Sequence, residues 1–300
     1  MAALWKAEKR RWVKPGTYAT YVTLLNKHIL PFFSQAEALT GESAQVLADA
    51  MLSSGLSIKT VKDCILVLRM IVKYGARQGA WPMLEMEVHY PAPTSLTSPM
   101  VLSRHDQKRL QTYLQEHFSF RNLGLLICLH GGLRIGEVCA LQWQDLNLAD
   151  GLIIVRKTIQ RIYLADGDER ENRLLIHSPK TASSFREVPL EKSLLRLLRP
   201  LKKVVLPHYY VLTNGPEPLE PRTYRDYFHR LMRQLGLPPL RFHGLRHSFA
   251  TRCIESKCDY KTVSVILGHA SIATTLNLYV HPGTEEKKRC VERMVRGLGY

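Results

Sequence analysis

The run Pro91-Ala-Pro93-Thr-Ser-Leu-Thr-Ser-Pro99 constrains the fold more than any other stretch of this chain. Its prolines lock φ, remove backbone donors and exclude both a helix interior and a central strand. The serines and threonines between them favour turns. The stretch therefore reads as a linker that separates two parts of different pattern. The expected organisation is a helical domain over 1–92, a linker over 93–102 and a second domain over 103–300. With 45% hydrophobic residues in a 300-residue chain, each part can bury a core of its own.

Before the linker the apolar period is helical. Tyr18, Tyr21, Val22, Leu25 and Ile29 mark one helix over 17–30, which Pro31 is expected to end. Ile58, Val61, Ile65, Leu68 and Val72 mark a second over 57–74. No strand pattern appears before residue 90, so this part is expected to be all-helical. On the second helix Lys59, Lys62, Arg69 and Lys73 form a stripe beside the apolar one. That stripe is either a solvated face or a set of phosphate contacts.

After the linker, Ser103-x-x-Asp106 has the form of a helix start, and helical patterns run through Leu141. Residues 151–163, Arg173–His177 and Phe185–Val188 are β-rich and suggest a small antiparallel sheet. Lys180 falls in the turn between the last two of these strands. Helical patterns return over 190–199, 221–235, 243–256, 259–267 and 271–280. The tail carries Val291, Met294, Val295 and Leu298 at helical spacing, an apolar face for docking on this chain or on a neighbouring copy. The fold class expected is α+β: mainly helical, with a small antiparallel sheet in the second domain.

The chain carries a formal charge of +16 and a pI near 9.7. Residues 1–95 hold eleven Lys/Arg against seven Asp/Glu, and the remainder thirty-one against nineteen. Both parts are basic, which points to nucleic acid or an anionic membrane surface. The N-terminus lacks a signal-peptide core, and the apolar stretch Leu123–Leu129 is too short to span a bilayer. None of the six cysteines forms a C-x-x-C pair, which argues against zinc. Cys128 and Cys139 read as small core residues. A reduced, cytoplasmic protein is expected.

The chemistry is concentrated near the C-terminus. His243 and Arg246, three residues apart, share one face of a helix. An arginine offers a planar fork of donors that suits phosphate. A histidine can move a proton. Tyr279, further along, offers a hydroxyl nucleophile. Attack of a tyrosine on a phosphodiester uses such parts.

His243-Gly-Leu-Arg246, Leu267-Gly-His269 and Tyr279 follow Gly132-Leu133-Arg134-Ile135-Gly136-Glu137. Between them stand Ser178-Pro179-Lys180-Thr181 and Arg186-Glu187-Val188-Pro189-Leu190. This ordered set resembles the tyrosine recombinase (phage integrase) family, over roughly residues 100–285. The resemblance implies a helical core-binding domain and a mainly helical catalytic domain, closed as a C-shaped clamp on duplex DNA. It implies strand exchange through 3′-phosphotyrosyl links and a Holliday junction. The protein would be a homotetramer on paired DNA sites and a monomer or weak dimer when free, and would use no metal or nucleotide cofactor.

Residue by residue, the resemblance makes Tyr279 the nucleophile and His243 its proton acceptor. His269 would donate a hydrogen bond to a nonbridging oxygen, and Lys180 would protonate the departing 5′-oxygen. Arg134 and Arg246 would neutralise the nonbridging oxygens as charge builds there. Glu137, three residues after Arg134, reads as a structural partner that orients an arginine or its helix.

The stretch from His269 to Pro282 is closer to mobile-element integrases than to Xer-type resolvases. The chain opens almost directly in a core-binding helix, so no arm-binding module is expected ahead of it. Integration and excision of a mobile element, or DNA inversion, is the expected role, with an accessory directionality protein as a further partner. A type IB topoisomerase-like nicking-closing enzyme and a catalytically inactive DNA-binding regulator are the alternatives. A metal-dependent transposase would need a carboxylate cluster, and the acidic residues here are scattered.

Overall fold

A computed structural model describes residues 1–34, 39–92, 100–167, 169–177, 185–279 and 284–297. The expected linker centre, the Lys180 turn and Leu298 lie outside the described residues. The chain forms two units. The first comprises Met1–Leu96 together with Arg161–Leu174, and the second comprises Thr97–Gln160 and Leu175–Tyr300.

The helices of the first unit are α1 (Ala2–Trp12), α2 (Pro15–Leu24), α3 (Leu30–Phe33), α4 (Ser43–Ser53) and α5 (Ile58–Arg77). Helix α5 starts where Ser57 accepts a hydrogen bond from the Thr60 amide, the usual role of a serine cap. Its buried face includes Val61, Ile65, Leu68 and Val72, the apolar period read from the sequence. These side chains meet Trp5, Leu25, Ile29, Leu47 and Met51 in one core.

Pro31 does not end the early helix. Residues Leu25–Ile29 wind as a π-turn, in which the Leu30 amide reaches back to the Leu25 carbonyl. The wider turn places Pro31 in the first turn of α3. There the wider turn accommodates the ring without ending the helical run.

The second unit begins with α6 (Arg104–Glu116), capped by Ser103, whose hydroxyl accepts from the Asp106 amide at 3.0 Å. Helix α7 (Phe120–Gly131) is buried through most of its length, and α8 (Ile135–Cys139) follows after a turn. Helices α9 (Lys192–Lys202), α10 (Pro221–Gln234), α11 (His243–Glu255), α12 (Tyr260–Leu267), α13 (Ile272–Tyr279) and α14 (Thr284–Gly297) complete it. Cys128 and Cys139 are fully buried, as expected of core thiols. On α14, Val291, Met294 and Val295 are all exposed.

The β segments form two sheets instead of one. Strands β1 (Leu146–Asn147), β2 (Leu152–Val155) and β5 (Arg186–Pro189) make an antiparallel sheet, with Ile153 opposite Val188. Among the described residues, strands β3 (Thr158–Asp166) and β4 (Glu169–His177) pair only with each other. The middle of this pair belongs to the first unit, where Lys6 forms an ion pair with Asp166. There Asn26 also donates to the Ala165 carbonyl at 3.1 Å. The first unit is therefore helical in its own segment and takes its only β-structure, among the described residues, from this distant hairpin.

Candidate active site

Two glycine-ended helices present carbonyls to two arginines. Helix α7 ends at Gly132 and α12 at Gly268, both in the left-handed region with φ of +62° and +65°. Glycine takes that conformation without the penalty a Cβ brings. At Gly132 a Cβ would also fall within 2.7 Å of the Phe249 ring and 2.8 Å of Leu267. The Gly132 carbonyl accepts from Arg246 Nη1 at 2.9 Å, and the Gly268 carbonyl accepts from Arg134 Nη2 at 3.2 Å.

Glu137 ties this frame together. Its carboxylate accepts from the Arg134 backbone N–H at 2.8 Å, which caps α8, and from Arg134 Nη1 at 2.8 Å. It also takes both prongs of Arg186, each at 2.9 Å. Arg186 reaches on to the Ile266 carbonyl through Nε at 2.6 Å. Burial alone would raise the Glu137 carboxyl pKa, but its hydrogen bonds and the charges of Arg186 and Arg134 outweigh that and hold it at about 2. Glu137 is thus an ion, not a base, as its position after Arg134 suggested.

Arg246 is 1% exposed, and its Nη2 is buried without a hydrogen-bond partner. Burial and the neighbouring Arg134 lower its pKa to about 9, which leaves it charged at neutral pH. Arg134 has 36% of its side chain exposed and lies nearer to solvent. A cation that is buried, oriented and short of one acceptor suits an entering anionic oxygen.

Tyr279 ends α13 and is 9% exposed, packed with Ala250, Val263 and Leu267. Burial raises its hydroxyl pKa, while Arg246 and Arg134 pull it down. The ring lies nearly parallel to that of His269, with centroids 6.5 Å apart. His269 Nδ1 meets Thr275 Oγ1 at 2.8 Å, and Thr275 is fully buried one turn before Tyr279 on α13. Burial and the charges of Arg246 and Arg134 lower the His269 pKa to about 4, so its ring is neutral at pH 7.

The hydroxyl of Tyr279 is hydrogen-bonded at 2.6 Å to Nδ1 of His247. No hydrogen bond joins it to His243. His243 stands at the exposed edge of the site, its ring edge-to-face with that of His247 at 4.5 Å between centroids. Desolvation, then His247, Arg246 and Arg134, lower the His243 pKa to about 4. Burial and Arg246 also lower that of His247.

Arg134, His243, Arg246, His269 and Tyr279 therefore gather in one place, while Lys180 lies outside the described residues. Sequence reasoning missed His247, Thr275 and the buried role of Arg186. A signal existed for two of them. His247 is one turn after His243, and Thr275 one turn before Tyr279, spacings that share a helix face.

In the first unit Lys59, Lys62, Arg69 and Lys73 are all exposed on α5. Lys59 pairs with Asp63 at 2.9 Å, Lys62 lies 4.9 Å from the Tyr90 ring centroid, and Arg69 donates to the Met86 carbonyl. Among the described residues no group of His, Cys, Asp or Glu is placed to hold a metal ion, and no helix is long and apolar enough to cross a membrane.

The profile of the phage integrase family matches residues 101–286, and the chain belongs to that family. It is a site-specific recombinase of the tyrosine type. A tyrosine recombinase XerC-like protein of Caldanaerobacter subterraneus subsp. tengcongensis is 25% identical over 94% of this chain and 78% of its own length. The ICEBs1 integrase of Bacillus subtilis is 23% identical over the same shares. Among solved structures, the Tn1549 transposon integrase in complex with transposon right end DNA has the same fold. Its TM-score is 0.76 at 22% identity, covering 97% of this chain and 98% of that one. The fold of the lambda integrase tetramer bound to a Holliday junction matches with a TM-score of 0.65 at 17% identity, over 94% and 78%.

Proposed function

We propose that this recombinase cleaves and rejoins duplex DNA through a 3′-phosphotyrosyl intermediate made by Tyr279, and that strands are exchanged through a Holliday junction. The observation that carries the reading is the partnerless, buried Nη2 of Arg246, held in one frame with Arg134 beside the buried hydroxyl of Tyr279. A nonbridging phosphate oxygen is the acceptor that such a donor lacks. Arg134 and Arg246 take the charge that builds on the phosphorane. His269, its ring oriented by Thr275, donates to a nonbridging oxygen. His243, neutral and at the open edge, binds the same phosphate group. Lys180 protonates the 5′-oxygen as it leaves.

The helical first unit is the core-binding domain in this reading, and Lys59, Lys62, Arg69 and Lys73 meet DNA phosphates. The lambda integrase structure is of a tetramer on a Holliday junction, which supports a tetrameric working assembly here. The Tn1549 and ICEBs1 integrases support a role in moving a mobile element.

Trapping on a nicked suicide duplex tests the nucleophile. Wild-type protein should migrate covalently bound to DNA in a denaturing gel, and Tyr279→Phe should bind the same duplex without any covalent adduct. Persistent trapping of the Phe variant would move the nucleophile elsewhere.

A further inference from the structure

We infer that His247 is a catalytic residue: its Nδ1 takes the Tyr279 proton as the hydroxyl oxygen attacks phosphorus. This deepens the reading of Tyr279 as nucleophile and rests on it. The geometry is direct. Nδ1 lies 2.6 Å from the Tyr279 hydroxyl, within reach of proton transfer without rearrangement. Among the described residues His243 makes no hydrogen bond to that hydroxyl, and its ring meets that of His247 edge-to-face. His247 is half-buried on α11, one turn after His243 and next to Arg246, so the helix that carries the phosphate-binding arginine also carries the base.

The surroundings explain the timing. From α11 His243 and Arg246 flank His247, from α13 Tyr279 meets it, and the His269 ring lies nearly parallel to that of Tyr279. Burial and the Arg246 charge favour neutral imidazole, the form able to accept a proton. The same charge opposes imidazolium, so the buried phenol keeps its proton at rest. Transfer becomes favourable once phosphate arrives and offsets Arg246. The hydroxyl oxygen of Tyr279 then forms its bond to phosphorus as the bond from phosphorus to the 5′-oxygen breaks. The phenolic proton passes to Nδ1, and the 5′-oxygen receives a proton from the general acid. In the joining step the 5′-hydroxyl oxygen bonds to phosphorus and gives its proton back to the general acid, while the bond from phosphorus to the Tyr279 oxygen breaks and His247 returns its proton to the departing phenolate.

The test is a pH–rate profile of single-turnover trapping on the nicked duplex, between about pH 5 and 9, for wild type, His247→Asn and His243→Asn. An Asn side chain places a hydrogen-bonding atom near the Nδ1 position but cannot take the proton. Wild type should be on a plateau at neutral pH and fall on the acid side. His247→Asn should lose about 10²–10³-fold at neutral pH, and its rate should keep rising toward high pH as hydroxide replaces the base. Duplex binding by gel shift should be unchanged. His243→Asn should be slower yet keep the acid limb. His247→Gln takes the place of the Asn variant should that one fail to fold. A His247 variant with the wild-type pH profile, or one that cleaves faster than wild type, would overturn the assignment, as would loss of the acid limb in His243→Asn alone. Adduct formation by Tyr279→Phe would instead defeat the reading of the nucleophile.

Discussion

Replacing Glu137 with Gln removes one charge and almost no volume, so its effect isolates the electrostatic frame of the site. In wild type the carboxylate takes both prongs of Arg186, one prong of Arg134 and the Arg134 backbone N–H. A Gln amide accepts through one oxygen only, and its NH₂ would face a guanidinium donor. The magnitude follows from the depressed carboxyl pKa. Depression of the carboxyl from 4.5 to about 2 corresponds to about 3 kcal/mol of folding stability at neutral pH. Removal of one member of a buried pair costs about 3–5 kcal/mol, which agrees. Because the folded value lies below the unfolded one, this contribution is complete above about pH 4.5 and disappears as pH falls toward 2. By pH 3 it has shrunk to about 1 kcal/mol. Scanning calorimetry is the assay, and the second unit's transition is the one to follow. Its midpoint should fall by roughly 6–12 °C in Glu137→Gln near pH 7, and by much less than that near pH 3. Covalent trapping should fall as well, since Arg134 loses its anchor. A variant as stable as wild type at pH 7, or a deficit that does not shrink in acid, would refute this account of the frame.

Arg246→Lys replaces a fork with a single ammonium, leaving the Gly132 carbonyl or the phosphate without a donor. Trapping should slow by about 10²–10³-fold with little change in gel-shift affinity. Thr275→Val frees Nδ1 of His269 and should slow cleavage about tenfold, at a stability cost of about 1 kcal/mol measured by urea unfolding. Lys180→Ala should impair cleavage of an ordinary duplex far more than of one with a bridging 5′-thiolate, which leaves without a proton; equal losses would make Lys180 a phosphate binder. Replacing Lys73 with Ala should weaken binding to specific and random duplexes alike and lower the salt slope by about one, whereas an unchanged slope would leave the α5 stripe a solvated face.

Much of this protein was legible from local pattern. The apolar period placed α5, and Ser103 marked the start of α6, because capping and burial of one face act within a few residues. The ordered motifs that hold Arg134, Arg246, His269 and Tyr279 resemble those of one family, and that resemblance pointed to one chemistry. Local pattern failed where the partner is distant. The β segments resemble one another along the chain, yet β2 selects β1 and β5 while β3 and β4 pair apart, a choice made by which faces find a core. Pro31 looked like a stop until the π-turn before it shifted its position in the helix. Glu137 and Arg186 are remote in sequence, and only the tertiary fold makes them a buried ion pair. The same is true of the Tyr279 hydroxyl. The sequence offers two histidines one turn apart, and nothing local distinguishes them. The crossing of α11 and α13 brings Nδ1 of His247, and not His243, to the hydroxyl, because side-chain contact depends on where two helices cross and not on either helix alone.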